Sequence, residues 1–384
     1  MLISKRVQGM YPSQTLSIVE LAAKFREKGY NIISLAVGEP DFTTPPNIID
    51  AACKAMREGK THYTPPTGIK ELREAIAEKY RTENGVDVDA NNVIVTPAKL
   101  AIFNTLSAFV DPGDEVLIPD PGWVSYREMV RFARGKPVSV KLDEEKDWRM
   151  DIDDLVSKID YKTKVLIINS PSNPTGAVLT KDDMKAIRDI VLDFDLILIS
   201  DEIYEKILFE GEHVSPGIYD DLLMNTIIVN GFSKGWAMTG WRIGYLIAPH
   251  RYIPELEKVQ QHTISCAPSM AQYAALEALR TRSYVDEMVN EFRKRRDYVY
   301  ERLSKMPGIT VKKPKATFYI FPRYEFDIPS KTLAEEFMIK EKVAITPGFA
   351  FGNYGEHHFR ISFATSMENL KIGLDKLESF LSTL

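Results

Sequence analysis

Apolar residues recur along the chain in two alternating rhythms. VIVTP (93–97), EVLIP (115–119), KVLIINS (164–170), DLILIS (195–200) and TIIVNG (226–231) are short continuous runs of mainly β-branched or leucine residues, as expected of strands covered on both faces of a parallel sheet. Between such runs the spacing is helical. After Gly68, GIKELREAIAEKY sets Ile69, Leu72, Ile76 and Tyr80 on one stripe, with Gly85 as a stop. Thr180 and Asp183 form a capping-type start for KDDMKAIRDIVLDF, whose Ile187, Ile190 and Val191 share a face. The alternation predicts an α/β domain with right-handed crossovers and a ligand at the carboxyl ends of its strands.

After about residue 280 the pattern changes. A long charged helix, roughly 284–305, precedes the strand-like VKKPKATFYIFP (311–322) and FRISFA (359–364). In the terminal helix that follows, Thr365 and Glu368 read as a capping box, and Leu370, Leu374, Leu377 and Leu381 line one face. These elements predict a smaller α+β domain. A length of 384 residues agrees with more than one domain.

Composition narrows the function. With 44% hydrophobic and 27% charged residues the chain is of ordinary globular type, and no stretch approaches the ~20 apolar residues of a membrane span. A net charge of -5 gives no pull toward nucleic acid. Two cysteines, Cys53 and Cys266, are too few for a disulfide framework or a thiolate zinc site, and the N-terminus lacks a signal-like apolar region. A cytoplasmic protein is expected. The six histidines show no HExxH spacing, so no metal is expected.

Candidate chemistry gathers at the strand ends. DLILISDEIYE delivers Asp201, with Tyr204 within one turn; a buried lone carboxylate needs a cationic partner, whereas a helix cap or surface acid fits this segment equally well. NSPSNPTG (169–176) holds the amide of Asn173 in a turn. GFSKGWAMTGWRIGY (231–245) places Ser233, Lys234 and Arg242 together. A desolvated lysine loses proton affinity and becomes a nucleophile able to form a Schiff base, while Ser233 and Arg242 suit a phosphate dianion. Lysine, acid and anion site converge on pyridoxal phosphate.

With VGEPDF (37–42), THYTPPTG (61–68), DPGDEVLIPDPGWVSY (111–126), NSPSNPTG, SDEIYE (200–205), SKGWAMTGWRIGY, PGFAFG (347–352) and FRISFA in order, nearly the whole chain resembles the fold-type I, class I pyridoxal-phosphate aminotransferases of the aspartate and aromatic branch. The resemblance implies a seven-stranded, mainly parallel sheet in a large domain (41–280), a small domain (281–384), and an N-terminal segment (1–40) that joins the small domain and the substrate entrance. Lys234 then resembles the Schiff-base lysine and proton shuttle, and Asp201 the partner of the ring nitrogen. Asn173 and Tyr204 resemble donors to the ring oxygen, Trp123 the aromatic stacked on the ring, and Ser233 and Arg242 the phosphate ligands. Tyr63 resembles the tyrosine that reaches the phosphate of a neighbouring subunit, which implies a homodimer. Arg360 resembles the grip on the substrate α-carboxylate, with Gly38, Asn173 and Trp123 beside the substrate.

One stretch departs from the family pattern. VIVTPAKLAIFN has Pro97, Ala98 and Lys99 where small residues with a glycine are usual, and proline cannot donate a backbone hydrogen bond. Ala98 and Lys99 are the expected phosphate donors. Lys99 also corresponds to the lysine that contacts a distal carboxylate in acidic-substrate members, with Ser13 and Thr15 as helping hydroxyls; a lysine at a helix start opposes the dipole, which favours a functional reason for it. The implied reaction is ping-pong amino transfer between aspartate and 2-oxoglutarate. Prephenate or aromatic amino acids, the latter in a pocket containing Phe349 and Phe351, are the alternative substrates, and a β-lyase would use nearly the same residues.

Overall fold

The five continuous apolar runs become strands of one eight-stranded sheet in a computed structural model, which describes residues 2–12 and 14–384 without the side chains of residues 14–17 and 19. In chain order the strands are β1 (Val93–Val95), β2 (Glu115–Asp120), β3 (Lys136–Asp143), β4 (Arg149–Met150), β5 (Thr163–Asn169), β6 (Ile197–Asp201), β7 (Thr226–Gly231) and β8 (Gly244–Ile247). They lie in the order β1-β8-β7-β6-β5-β2-β3-β4. Pairings from β7 through β3 are parallel; β8 is antiparallel to both neighbours, and β4 is a two-residue antiparallel edge. Seven strands plus this edge match the mainly parallel sheet expected.

Every residue of β1, β2, β6 and β7 is buried, because helices cover both faces. The pattern of apolar runs missed β3, the two-residue β4 and β8. Six of the eight residues of β3, near the sheet edge, are exposed or only partly covered, its later residues alternate polar with apolar, and β8 is four residues long. The helix Lys70–Lys79 buries Leu72 and Ile76, and its wider last turn stops at Gly85, whose φ of 67° suits glycine. Thr180 and Asp183 do form a reciprocal cap on Lys181–Asp193.

In the C-terminal region the strand Phe359–Ser362 lies between Tyr319–Ile320 and Thr346–Pro347, antiparallel to both. The strand expected over 311–322 shrinks to two residues; Pro314 within it cannot donate to a ladder. Ile33–Ser34 pairs parallel with Val343–Ala344, and Ile18 and Ala22 pack with Ile32, Ala36, Met338 and Ala344, so the N-terminal segment joins the C-terminal region. The long charged helix spans Ser283–Leu303. The terminal helix, Met367–Leu381, buries all four predicted leucines. Its cap is Ser366, not Thr365: the helix starts one residue later, Ser366 accepts from the Asn369 N–H at 3.2 Å, and Thr365 accepts instead from the Asn369 side chain at 3.0 Å. Among the described residues no helix is long and apolar enough to cross a membrane.

Candidate active site

The carboxyl ends of β1, β5, β6 and β7 open into one cavity of about 510 Å³. Gly38, Ala98, Lys99, Trp123, Asn173, Asp201, Tyr204, Ser233, Lys234, Arg242 and Arg360 all line it. Residues from both ends of the chain therefore meet those of the central sheet. Tyr63 does not: it is 90% exposed and outside the cavity of its own chain. Ser13 and the side chain of Thr15 lie outside the described residues.

Asp201 ends β6, where the parallel ladder fixes its backbone against Asn169 and Val229. Its carboxylate accepts from the Tyr126 hydroxyl at 2.6 Å and from the Ile203 N–H at 3.2 Å. Burial raises its pKa to about 6 against the pull of those two donors. Lys234 follows β7 and donates to the Gly38 carbonyl at 2.6 Å. Burial lowers the pKa of its amine to about 8; Glu39 opposes the shift, and Arg360 and Arg242 add to it.

Arg360 sits in the middle of its strand and is buried. It donates to the Asn173 side-chain oxygen at 2.9 Å and to the Ala36 carbonyl at 2.7 Å. Its Nε is buried with no partner, so a fixed cation is left with a donor to spare. Tyr319 covers its guanidinium at 4.2 Å.

The other end of the cavity gathers positive charge. Pro97 caps the helix Ala98–Phe109, whose first backbone N–H groups have no helical partner. The Arg242 side chain is held to the Thr239 carbonyl at 2.8 Å. Lys99 places its ammonium 4.9 Å from the Trp123 ring, and partial burial, then Arg242, lower its pKa. Gly244 of β8 runs against this helix start: a Cβ there would lie 2.8 Å from the Asn230 carbonyl oxygen and 3.0 Å from the Ala98 nitrogen. A nucleophilic amine, a buried acid and an anion cradle made of Ser233, Arg242 and a helix N-terminus fit pyridoxal phosphate.

Phe349 and Phe351 are not in this cavity. They line an adjoining one of about 410 Å³ that shares Trp123 with it. Beneath the site, Glu202 accepts from Ser200 (3.0 Å), Ser215 (2.7 Å) and Tyr80 (3.2 Å) and lies 3.1 Å from His213 Nε2, while Glu205 pairs with Lys79 and accepts from Asn84 at 3.1 Å. This network anchors the segment that presents Asp201 and Tyr204. Two tyrosines of the site escaped the sequence reading, Tyr126 and Tyr319. Tyr126 follows Trp123 by three residues, yet its partner is 75 positions away.

Residues 30–377 match the model of the family described as aminotransferase class I and II. The chain is 44% identical to an aspartate aminotransferase of Pyrococcus abyssi, covering 99% of this chain and 98% of that one. It is 43% identical to an aromatic-amino-acid aminotransferase of Thermococcus litoralis, with 99% and 98% covered. Among solved structures, the aspartate aminotransferase of Thermus thermophilus with maleate superposes with a TM-score of 0.95 at 41% identity, covering 99% of this chain and all of that one. A cavity equipped for pyridoxal phosphate and a match along almost the full length lead to one conclusion: the chain belongs to the class I and II aminotransferases.

Proposed function

We propose that this pyridoxal-phosphate-dependent aminotransferase works on a dicarboxylic pair, aspartate and 2-oxoglutarate. The observation that carries the reading is a cation left over in the cavity once Lys234, Arg242 and Arg360 have their roles. Arg360 provides for an α-carboxylate, and Lys99, which has no carboxylate partner among the described residues, remains for a distal one. The Pyrococcus relative bears the name of an aspartate enzyme, and the Thermus structure was solved with maleate, itself a dicarboxylate. Prephenate, with two carboxylates, suits the same cations.

Bound pyridoxal phosphate supplies an aldehyde and an electron-withdrawing ring. The chain's own residues do the rest. Lys234 would hold the cofactor covalently and, once freed by the substrate amine, would carry a proton between the substrate α-carbon and the cofactor carbon on the other side of the shared nitrogen. Asp201 keeps a negative charge against the ring nitrogen; Tyr204 and Asn173 donate to the ring oxygen, and Trp123 covers the ring face. Ser233, Arg242 and the N–H groups of Ala98 and Lys99 hold the phosphate. Arg360, beside Gly38 and Asn173, orients the substrate so that its α-hydrogen faces Lys234. Tyr63 reaches the phosphate of a second copy, making the working form a homodimer, and Ser13 and Thr15 assist Lys99. The large part (41–280) and the small part (281–384 with 1–40) form two domains of a cytoplasmic enzyme.

A second reading rests on the adjoining cavity. Phe349 and Phe351 line it together with Trp123, the residue the two cavities share, so aromatic surface for an aromatic side chain adjoins the site. The Lys99→Ala variant separates the two. With 2-oxoglutarate as acceptor, kcat/KM for aspartate should fall roughly 10²-fold and that for phenylalanine stay within a few-fold. Equal losses on both donors, or none on aspartate, would overturn the dicarboxylate reading.

A further inference from the structure

Tyr319 lies where three parts of the site meet and has no part in the account above. Its main chain pairs with Ser362, in the strand that carries Arg360. Its ring lies 4.2 Å from the Arg360 guanidinium carbon. Its hydroxyl is 2.9 Å from that of Tyr204, the one hydrogen bond of either phenol among the described residues. Below this hydroxyl runs Gly38, where a Cβ would stand 2.7 Å away and whose carbonyl accepts from Lys234.

Two phenols in contact must settle which of them donates. The Tyr319 hydroxyl is fully buried, and Arg360 beside it offers donors only. Both tyrosines line the cavity, and with the Tyr204 proton given to the ring oxygen, as proposed above, the bond between the two phenols is made with the Tyr319 proton. Tyr204 lines the cavity, and a hydroxyl that already accepts one bond is a stronger donor in the next. Burial raises the pKa of both phenols, so the chain of two protons stays intact over the working range.

We propose that Tyr319 is a positioning residue that donates to Tyr204 and so directs the Tyr204 proton to the ring oxygen of bound pyridoxal phosphate, while its ring backs Arg360. The carboxylate grip and the ionisation of the cofactor are thereby tied to one side chain. This rests on the proposed place of Tyr204 at the ring oxygen.

The test is a pH titration of the visible absorbance of the cofactor-loaded protein without substrate, backed by kinetics. Tyr319→Phe should raise the transition pH by about half to one unit, because the oxygen's negative charge loses support. It should leave KM for amino acid and 2-oxo acid within about twofold, since a phenyl ring still backs Arg360. Tyr319→Leu should raise KM by roughly 2- to 30-fold. Tyr204→Phe should raise the transition pH by itself, and adding Tyr319→Phe to it should do nothing more. If Tyr204→Phe leaves the transition in place, the position of Tyr204 is wrong. If Tyr204→Phe moves it but Tyr319→Phe does not, or moves it equally in both backgrounds, the role of Tyr319 is overturned. Should Tyr319→Phe fail to load cofactor, 3-fluorotyrosine at position 319, a stronger donor of nearly the same size, should lower the transition pH; no movement there overturns the role as well.

Discussion

Tyr126 donates to Asp201 across 2.6 Å, and both groups are buried. Without that bond the carboxyl would stand still higher above its ordinary range, because burial is the dominant cause of its shift to about 6.

A stability signature follows in the cofactor-free protein. A folded-state pKa near 6 against 3.8 for the ordinary group means that the folded chain binds this proton more tightly. The contribution is complete below about pH 4 and is lost as pH rises through about 6, amounting to about 3 kcal/mol. Denaturant unfolding at pH 4 and pH 7 should show Asp201→Asn gaining about that much on the parent protein over the interval. A difference independent of pH would contradict it.

Lys234 gives the complementary expectation. Burial brings its pKa down to about 8, so the neutral amine becomes the main form only above that pH. Absorbance changes on adding pyridoxal phosphate to cofactor-free protein should show an attachment rate that climbs up to tenfold per pH unit and levels off near 8. Lys234→Ala should show no borohydride-stable attachment and no turnover.

Gly38→Ala should damage activity more than folding. The added methyl lands 2.7 Å from the Tyr319 hydroxyl and adjoins the carbonyl that accepts from Lys234. We expect kcat/KM to fall by roughly tenfold or more while unfolding free energy changes by about 1 kcal/mol or less. Tyr319→Phe in the same chain removes the oxygen in the way and should restore part of the loss.

Glu205 should matter for stability rather than chemistry. Burial, the largest single cause, would raise its pKa, but the Lys79 ammonium and its hydrogen bond, with Lys206 and His213, together outweigh it and hold the carboxyl down to about 2. Glu205→Gln leaves Lys79 buried without its charge partner, a change that costs about 3–5 kcal/mol in comparable cases. Urea unfolding of the variant measures it, and Lys79→Met added to Glu205→Gln should recover much of the loss.

Five of the eight strands were legible because burial on both faces leaves a local trace, a run such as TIIVNG, and because four of these runs lead into residues that line the cavity. Asp201, Lys234 and Arg360 stood out by motif, and the structure gathers them. What could not be read locally was partnership. Nothing around Tyr126 announces Asp201, and nothing in KATFYIFP separates Tyr319, which meets Tyr204 115 positions away, from an ordinary core aromatic. The placing of Phe349 and Phe351 in a neighbouring cavity depends equally on how a loop docks, which no periodicity records. The shift of a helix cap from Thr365 to Ser366 is a smaller case, decided by which of two adjacent hydroxyls the next turn can reach.

The bond from Arg360 to the Ala36 carbonyl joins residues 324 positions apart. During synthesis the central sheet and Lys234 emerge long before the strand that carries Arg360, so a nascent chain can assemble the half that holds the cofactor while the half that grips a carboxylate is still being made. Completion of the site thus waits for the strand Phe359–Ser362, and a chain ended before it lacks the cation that would bring an amino acid within reach of the amine.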